Sequence, residues 1–377
     1  MSSGPVPKGA RIAVTGANGF VGKNLVVRLG EAGYADIVPV VRETSGQDFA
    51  AALGSADVVF HLAGANRPED PAEFYALNRD LVGRICDAIA AGGRKPLFVH
   101  AGSAKAGDDN DYGRSKLQGE EVLAARATEL DFPAVIQRLP NIFGKWARPN
   151  YNSGVATFCY NVARGLPITV NDPAAPLSLI YVDDLVDQWL ELLADPPSGV
   201  TRPEPRKVYH TTVGEVADTI RGFASDRENA LIGPVGVGLT RALYATYVAA
   251  LPEDAFAYPL VAHTDPRGSF SEMLKTRESG QFSYFTAHPG VTRGGHYHHT
   301  KTEKFLIVAG EALFRFRHIL TGATHEVRTS AAEPVVVETI PGWAHDVTNV
   351  GESEMVALLW ANEIFDRERP DTVGHKV

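Results

Sequence analysis

The sequence predicts an α/β domain built on a doubly wound parallel sheet, followed by an all-β barrel. Three observations predict it. Before residue 251, short apolar runs alternate with helical patterns, and the runs are apolar throughout, the mark of strands covered on both faces. A glycine-spaced turn, Gly16-x-x-Gly19-x-x-Gly22, joins the first run to the first helical pattern. The histidines crowd elsewhere: only His61, His100 and His210 precede residue 251, and the other nine of twelve follow it.

Taken in order, Arg11–Thr15 reads as a strand, Val21–Ala32 as a helix and Ile37–Arg42 as a second strand. Asp57–Ala63 is a third strand, Glu73–Ala91 a helix, Pro96–Ser103 a fourth strand, Tyr112–Leu130 a helix and Ala134–Leu139 a strand. Gly238–Leu251 reads as the last helix before a linker at Pro252–Pro259. From Gly268 onward the helical period disappears. Strand-like runs separated by Gly- or Pro-bearing turns follow at Gln281–Ala287, Lys304–Val308, Ala312–His318, Val335–Ile340 and Met355–Trp360, as in a sandwich or barrel. The expected domains are 1–250 and 258–377. No repeat recurs at a fixed period.

Composition excludes several classes. With 44% hydrophobic and 21% charged residues, the chain is neither disordered, collagenous nor a coiled coil, and its 377 residues exceed what one ordinary core needs. It has no apolar run of ~18 residues, and Met1–Gly9 lacks the apolar stretch of a signal peptide, so no membrane association is expected. Cys86 and Cys159 lie in separate helix-like segments without CxxC spacing, which fits a reducing cytoplasm. A net charge of −9 and the lack of a basic cluster exclude nucleic acid as an expected partner.

The first chemical signal is RIAVTGANGFVG at Arg11–Gly22. Gly16 permits a sharp turn, Gly19 lets backbone N–H groups approach a pyrophosphate, and Gly22 lets the helix pack close to the strand, so a Rossmann-like dinucleotide site is expected. The second strand ends Val40-Val41-Arg42-Glu43. Val41 stands where an acidic residue would hold a ribose diol, and Arg42 follows it, which suits the 2′-phosphate of NADP better than NAD. The expected cofactor-binding set is Gly16, Asn18, Gly19, Phe20, Val21, Gly22, Arg42, Leu62, Ala63, Tyr112 and Lys116.

Tyr112-Gly-Arg-Ser-Lys116 opens a helix, and spacing i, i+4 places Tyr112 and Lys116 on one face. The lysine cation is expected to lower the phenol pKa toward neutrality. Ser103 ends the fourth strand, at the edge where doubly wound sheets bind ligands, and its hydroxyl is placed to hold a carbonyl oxygen. With the glycine motif, this set resembles the extended short-chain dehydrogenase/reductase family. Phe60–Gly64 (FHLAG), Arg138–Gly144 (RLPNIFG) and Tyr181–Asp184 (YVDD) are similar to that family as well. The resemblance implies that Tyr112 acts as acid/base, Lys116 holds the nicotinamide ribose and Ser103 orients the carbonyl. His61 reads as a strand-end histidine, not a catalyst.

In the second domain, His296 and His298 share a face if extended, Glu303 can return from the next strand, and His345 is a fourth candidate. Imidazoles plus a carboxylate on a β wall suit one divalent metal such as Zn²⁺. The spacing from Gly290 through His296, His298 and Glu303 to Gly310 resembles the first cupin motif. Pro341-Gly342-x2-His345-x3-Asn349 resembles the second, except that Pro directly precedes Gly. His299, with the opposite facing, reads as outside the ligand set.

Over nearly its whole length the chain resembles a family of bifunctional reductase–cupin enzymes of bacterial capsular polysaccharide synthesis. Gly144–Asn152, Ala156–Tyr160, Tyr244–Tyr247, Asp265–Phe270 and His296–Phe305 carry that likeness. It implies a UDP-linked 2-acetamido-2,6-dideoxy-4-hexulose as substrate. It also implies C3 epimerisation by the cupin, NADPH-dependent reduction of the C4 ketone, a route to UDP-N-acetyl-L-fucosamine, and a homodimer. Two alternatives stand beside it: a nucleotide-sugar reductase whose cupin only dimerises, and a non-catalytic sensor or scaffold.

Overall fold

In the computed structural model the described residues are 4–368 and 370–377, so Met1–Ser3 of the N-terminal stretch lie outside them. The chain divides into two compact units, Met1–Arg221 with Gly236–Pro252, and Gly222–Val235 with Glu253–Val377. The segment Gly222–Val235, within the expected 1–250 domain, groups with the second unit because it is bound there by backbone. Lys275 N donates to Ala230 O at 2.6 Å, and Ile232 N to Lys275 O at 2.8 Å.

In the first unit, β1 (Arg11–Thr15), α1 (Phe20–Glu31), β2 (Asp36–Val40), α2 (Gly46–Gly54) and β3 (Val58–His61) come first. After them come α3 (Ala72–Tyr75), α4 (Leu81–Gly92), β4 (Leu97–Ser103), α5 (Asp111–Glu129) and β5 (Ala134–Leu139). Next are β6 (Asn141–Phe143), α6 (Gly154–Val162), β7 (Pro176–Tyr181), α7 (Val182–Ala194), β8 (Val200–Thr201), β9 (Tyr209–Thr212), α8 (Val213–Glu228), which passes into the second unit at Gly222, and α9 (Gly238–Val248). A parallel sheet is ordered β2-β1-β3-β4-β5-β8. Its order reverses at β1, so a crevice opens beyond the carboxyl ends of β1 and β3. β6, β7 and β9 form a separate small sheet.

Strand alternation divides the core. Ile12, Val14, Val58 and Phe60 pack with Leu25 of α1 and Trp189 of α7. Ala13, Val59 and Phe98 pack the other way, with Ile85 and Ile89 of α4 and Leu123 of α5. Each such fully buried large side chain contributes roughly 1.5–3 kcal/mol. The helix expected over Glu73–Ala91 is interrupted: between α3 and α4, Ala76–Asp80 forms a π turn. The widened turn points Asn78 inward, where its amide exchanges hydrogen bonds with Ala65 (3.0 and 3.1 Å) and reaches Ser115 Oγ at 3.1 Å.

The second unit contains β10 (Ala262–Asp265), β11 (Gly268–Thr276), β12 (Gly280–Ala287), β13 (Thr292–Tyr297), β14 (Glu303–Ala309) and β15 (Glu311–His318). β16 (Thr324–Ser330), β17 (Val336–Glu338), β18 (Trp343–Asn349), β19 (Met355–Ala361) and β20 (Val373–Gly374) complete it. Two antiparallel sheets result, ordered β10-β11-β12-β19-β14-β17 and β16-β15-β18-β13-β20. Phe285, Phe305 and Met355 of the first meet Phe314, Phe316 and Val347 of the second in one core. Among the described residues, no helix is long and apolar enough to cross a membrane.

Candidate active site and metal centre

At the end of β1, Gly16 has a φ of +70°, and a Cβ there would lie 2.9 Å from Ala63 N. At Gly22 a Cβ would fall 2.3 Å from Gly16 O, so only glycine lets α1 start against the turn. Gly19 is the N-cap of α1, whose first turn carries no acidic residue, leaving the positive helix end open to an anion. Asn18 beside it is exposed, and Phe20 and Val21 open the helix. Thr15 Oγ1 accepts from Leu62 N (3.2 Å) and Ala63 N (3.3 Å), which ties the end of β3 to this turn. A cradle that side chains would fill fits a dinucleotide pyrophosphate.

The second strand stops at Val40, earlier than its expected end at Arg42. Val41–Thr44 turn instead, closed by Val41 N to Thr44 Oγ1 (2.9 Å) and Thr44 N to Val41 O (3.1 Å), and Arg42 is exposed on that turn. Gly16 N donates to Val40 O at 3.0 Å, which keeps the strand tip beside the glycine turn.

Ser103, Tyr112 and Lys116 meet at the carboxyl edge of the sheet. Asn110 caps α5 by accepting Gly113 N at 2.8 Å, which fixes the first turn that carries Tyr112. The Tyr112 ring stands edge-on to Phe74, 5.9 Å away, and Lys116 Nζ lies 6.0 Å from the Tyr112 ring centre. Ser103 Oγ accepts Lys105 N at 3.1 Å, leaving its own proton for the Tyr112 oxygen, to which it hydrogen-bonds. The expected lowering of the phenol pKa is not what this environment produces. Burial raises the Tyr112 pKa, and the Ser103 hydrogen bond opposes the rise only in part. Lys116 is itself buried, and burial pulls its pKa down to about 8 against the charge of Glu120. Asn78, Gly64 and Glu120 surround this lysine. Sequence reasoning missed all three roles, although Glu120 repeats the Tyr112–Lys116 spacing one turn further on.

His296, His298, Glu303 and His345 come together in the second unit, their ligand atoms within 4.8 Å of one another. His296 and His345 are register partners on β13 and β18, and Glu303 starts β14 in the facing sheet. The Nδ1 of His298 donates to the Asp371 carbonyl, which can only accept, so the Nε2 lone pair faces Glu303 Oε2 at 3.2 Å. His345 Nδ1 likewise faces the Trp343 carbonyl (3.4 Å), and its buried Nε2, 3.5 Å from Glu303 Oε2, has no hydrogen-bond partner. Lone pairs turned on a carboxylate fit a cation held between them, and these spacings match the edge of about 3.4 Å in a tetrahedral site with ~2.1 Å bonds. Burial and the neighbouring imidazoles lower His296 to about 4, which leaves it neutral and ligand-ready. Burial opposes ionisation of Glu303, but its contacts with His298 and His345 and the charge of Lys301, whose Nζ lies 3.3 Å from Glu303 Oε1, hold its pKa well below the usual range. His299 is exposed, and its backbone N–H joins those of Thr300 and Lys301 on the Asp371 carboxylate. Asp371 was not legible as a partner because 73 residues separate it from His298.

Residues 12–204 match the NAD dependent epimerase/dehydratase family, and residues 263–373 match the polysaccharide biosynthesis C-terminal domain. A Pseudomonas aeruginosa UDP-2-acetamido-2,6-beta-L-arabino-hexul-4-ose reductase is 50% identical over 97% of this chain and 99% of its own length. The chain belongs to the NAD-dependent epimerase/dehydratase family. The capsular polysaccharide assembling protein CapF from Staphylococcus aureus has a similar structure. It shows a TM-score of 0.91 and 40% identity, covering 97% of this chain and all (100%) of that one. Bordetella bronchiseptica WbmF, solved with NAD+ and UDP, shares the fold of this part at TM-score 0.55 and 19% identity, over 64% of this chain and 91% of its own.

Proposed function

We propose that the chain epimerises C3 of UDP-2-acetamido-2,6-dideoxy-hexos-4-ulose and then reduces its C4 ketone with NADPH. The product would lie on the route to UDP-N-acetyl-L-fucosamine for a surface polysaccharide made from cytoplasmic precursors. One observation carries the reading: Ser103, Tyr112 and Lys116 meet beside a dinucleotide cradle in a chain 50% identical, nearly end to end, to a keto-sugar reductase.

Bound in the cradle, the nicotinamide cofactor supplies the hydride. Ser103 donates to the ketone oxygen, and Tyr112 gives that oxygen its proton as negative charge develops there. A phenol held above its ordinary pKa is fully protonated at neutral pH, the form that reduction needs. Lys116 holds the nicotinamide ribose and steadies the phenolate left behind. Arg42, free on its turn, fits the 2′-phosphate of NADP.

The C3 proton is acidic because its loss beside the ketone gives an enolate, and its exchange is assigned to the cupin-like domain, residues 258–377. A Zn²⁺-like ion held by His296, His298, Glu303 and His345 would supply local positive charge. Four protein ligands close such a site, which favours a role in holding the two sheets together. A second reading, a reductase whose cupin only dimerises, is favoured by an apolar strip on the outer sheet face. Phe282, Leu358 and Val336 are 44%, 41% and 56% exposed there, and a homodimer would cover them. The test is product analysis of the full chain with the 4-keto sugar in D₂O. Deuterium should enter C3 without NADPH, and a C4 alcohol should appear only with it. Reduction without C3 exchange would leave the second reading.

A further inference from the structure

Lys116 is only 7% exposed, and a buried ammonium needs acceptors or a counter-charge. Every element packed against it contributes. From the loop after β3 and the π turn, Gly64 and Asn78 close over it: a Cβ on Gly64 would lie 2.7 Å from Asn78 Oδ1 and 2.9 Å from Lys116 Nζ. From β3 and β4 come His61 and His100, both buried, with rings stacked 5.2 Å apart. Thr15 Oγ1 accepts two backbone N–H groups, so its own proton goes to His61 Nδ1 at 2.7 Å, which fixes a neutral imidazole. Burial lowers His61 to about 3 and His100 well below its usual value, so neither adds positive charge.

From the lysine's own helix come Tyr112, one turn before, and Glu120, one turn after. Glu120 is 1% exposed. β5 adds Arg138, whose Nε and Nη2 grip Glu120 Oε2 at 3.0 and 2.9 Å while its side chain stays 45% exposed. β4 is notched to admit the carboxylate, since a Cβ on Gly102 would lie 2.9 Å from Glu120 Oε1.

We infer that Glu120 is a positioning residue for reduction: its carboxylate, lodged in the Gly102 notch one helical turn from Lys116, keeps that lysine charged, and Arg138 sets how much of the negative charge Lys116 feels. The inference rests on Tyr112 and Lys116 being the reducing pair. Its electrostatics give opposite signs for the two partners. Removing the charge of Glu120 leaves burial unopposed, so Lys116 loses its proton at lower pH. Removing the charge of Arg138 leaves Glu120 wholly to Lys116, which then keeps its proton to higher pH.

The test is the pH profile of kcat/KM for cofactor oxidation by the full chain with the 4-keto sugar, in wild type, Glu120→Gln and Arg138→Gln. Each variant's melting temperature is followed alongside. Wild type should lose activity as pH rises through the titration of Lys116. The alkaline limb should move down by about one unit in Glu120→Gln and up in Arg138→Gln. The pH dependence of NADPH affinity should move the same way in each variant. Limbs moving in the same direction, or a pH-independent loss in both, would overturn the inference and leave the pair as a brace between α5 and β5. Should Glu120→Gln fail to fold, the direction of the Arg138→Gln shift decides. A wild type that oxidises no cofactor would instead overturn the reductase reading itself.

Discussion

Substituting Gly64 by Ala isolates the placement of Lys116 from its chemistry. The added Cβ would sit 2.9 Å from Lys116 Nζ and 2.7 Å from Asn78 Oδ1, against an ordinary contact of about 3.4 Å or more. Asn78 is held at three points, by Ala65 N, Ala65 O and Ser115 Oγ, so the lysine tip must yield by several tenths of an ångström. Gly64 is exposed and its φ is ordinary, so the fold should lose no more than the ~1–3 kcal/mol of a typical overpacked site. A catalytic group displaced by about 1 Å loses rate by up to about 10²-fold, so kcat should fall ten- to a hundredfold. Steady-state NADPH oxidation with the 4-keto sugar, beside a thermal melt, measures both. A variant that melts near wild type and turns over at wild-type rate would refute the placement of Lys116 beneath Gly64.

Other outcomes follow from the same geometry. Tyr112→Phe removes the proton donor while keeping the ring against Phe74, and reduction should fall by ~10²–10⁴-fold in steady-state assays; near-native turnover would remove Tyr112 from the reaction. Arg42→Ala should weaken NADPH about tenfold or more and leave NADH nearly unchanged in fluorescence titrations, equal losses speaking against a 2′-phosphate contact. Elemental analysis should find about one zinc-like ion per chain, absent from His298→Ala, and chelation should lower the melting temperature of the wild type; a metal-free native protein with an unchanged melt would contradict the four-ligand centre.

Much of this site was legible because its signals are local in sequence. The triplet Gly16, Gly19 and Gly22 is one turn of chain, Tyr112 and Lys116 are one helical turn apart, and His296 to Glu303 spans one short connection between consecutive strands. What sequence did not reveal depends on distant partners. The upward direction of the Tyr112 shift is set by burial, against the opposing Ser103 hydrogen bond and in spite of a lysine lying beside the ring. The π turn at Ala76–Asp80 follows from the inward bonds of Asn78 to Ala65 and Ser115, so helical periodicity alone reads straight through it. Between Leu139 and Gly238, β8 has only two residues and β6 three, too brief for alternation to register. The tip of β2 illustrates a smaller limit: apolar Val41 continues the strand pattern, but Thr44 draws its N–H into a turn.

The central claim is that a hydride passes to C4 of a nucleotide-linked 4-keto sugar at the Ser103–Tyr112–Lys116 site. NADPH deuterated at C4 of the nicotinamide tests it most directly, with the sugar product read by proton NMR. The account predicts one deuterium at sugar C4 in wild type, with formation of that labelled product slowed ~10²–10⁴-fold in Tyr112→Phe. An alcohol at C4 without the label, or no reduction at all by metal-loaded wild type, would contradict it.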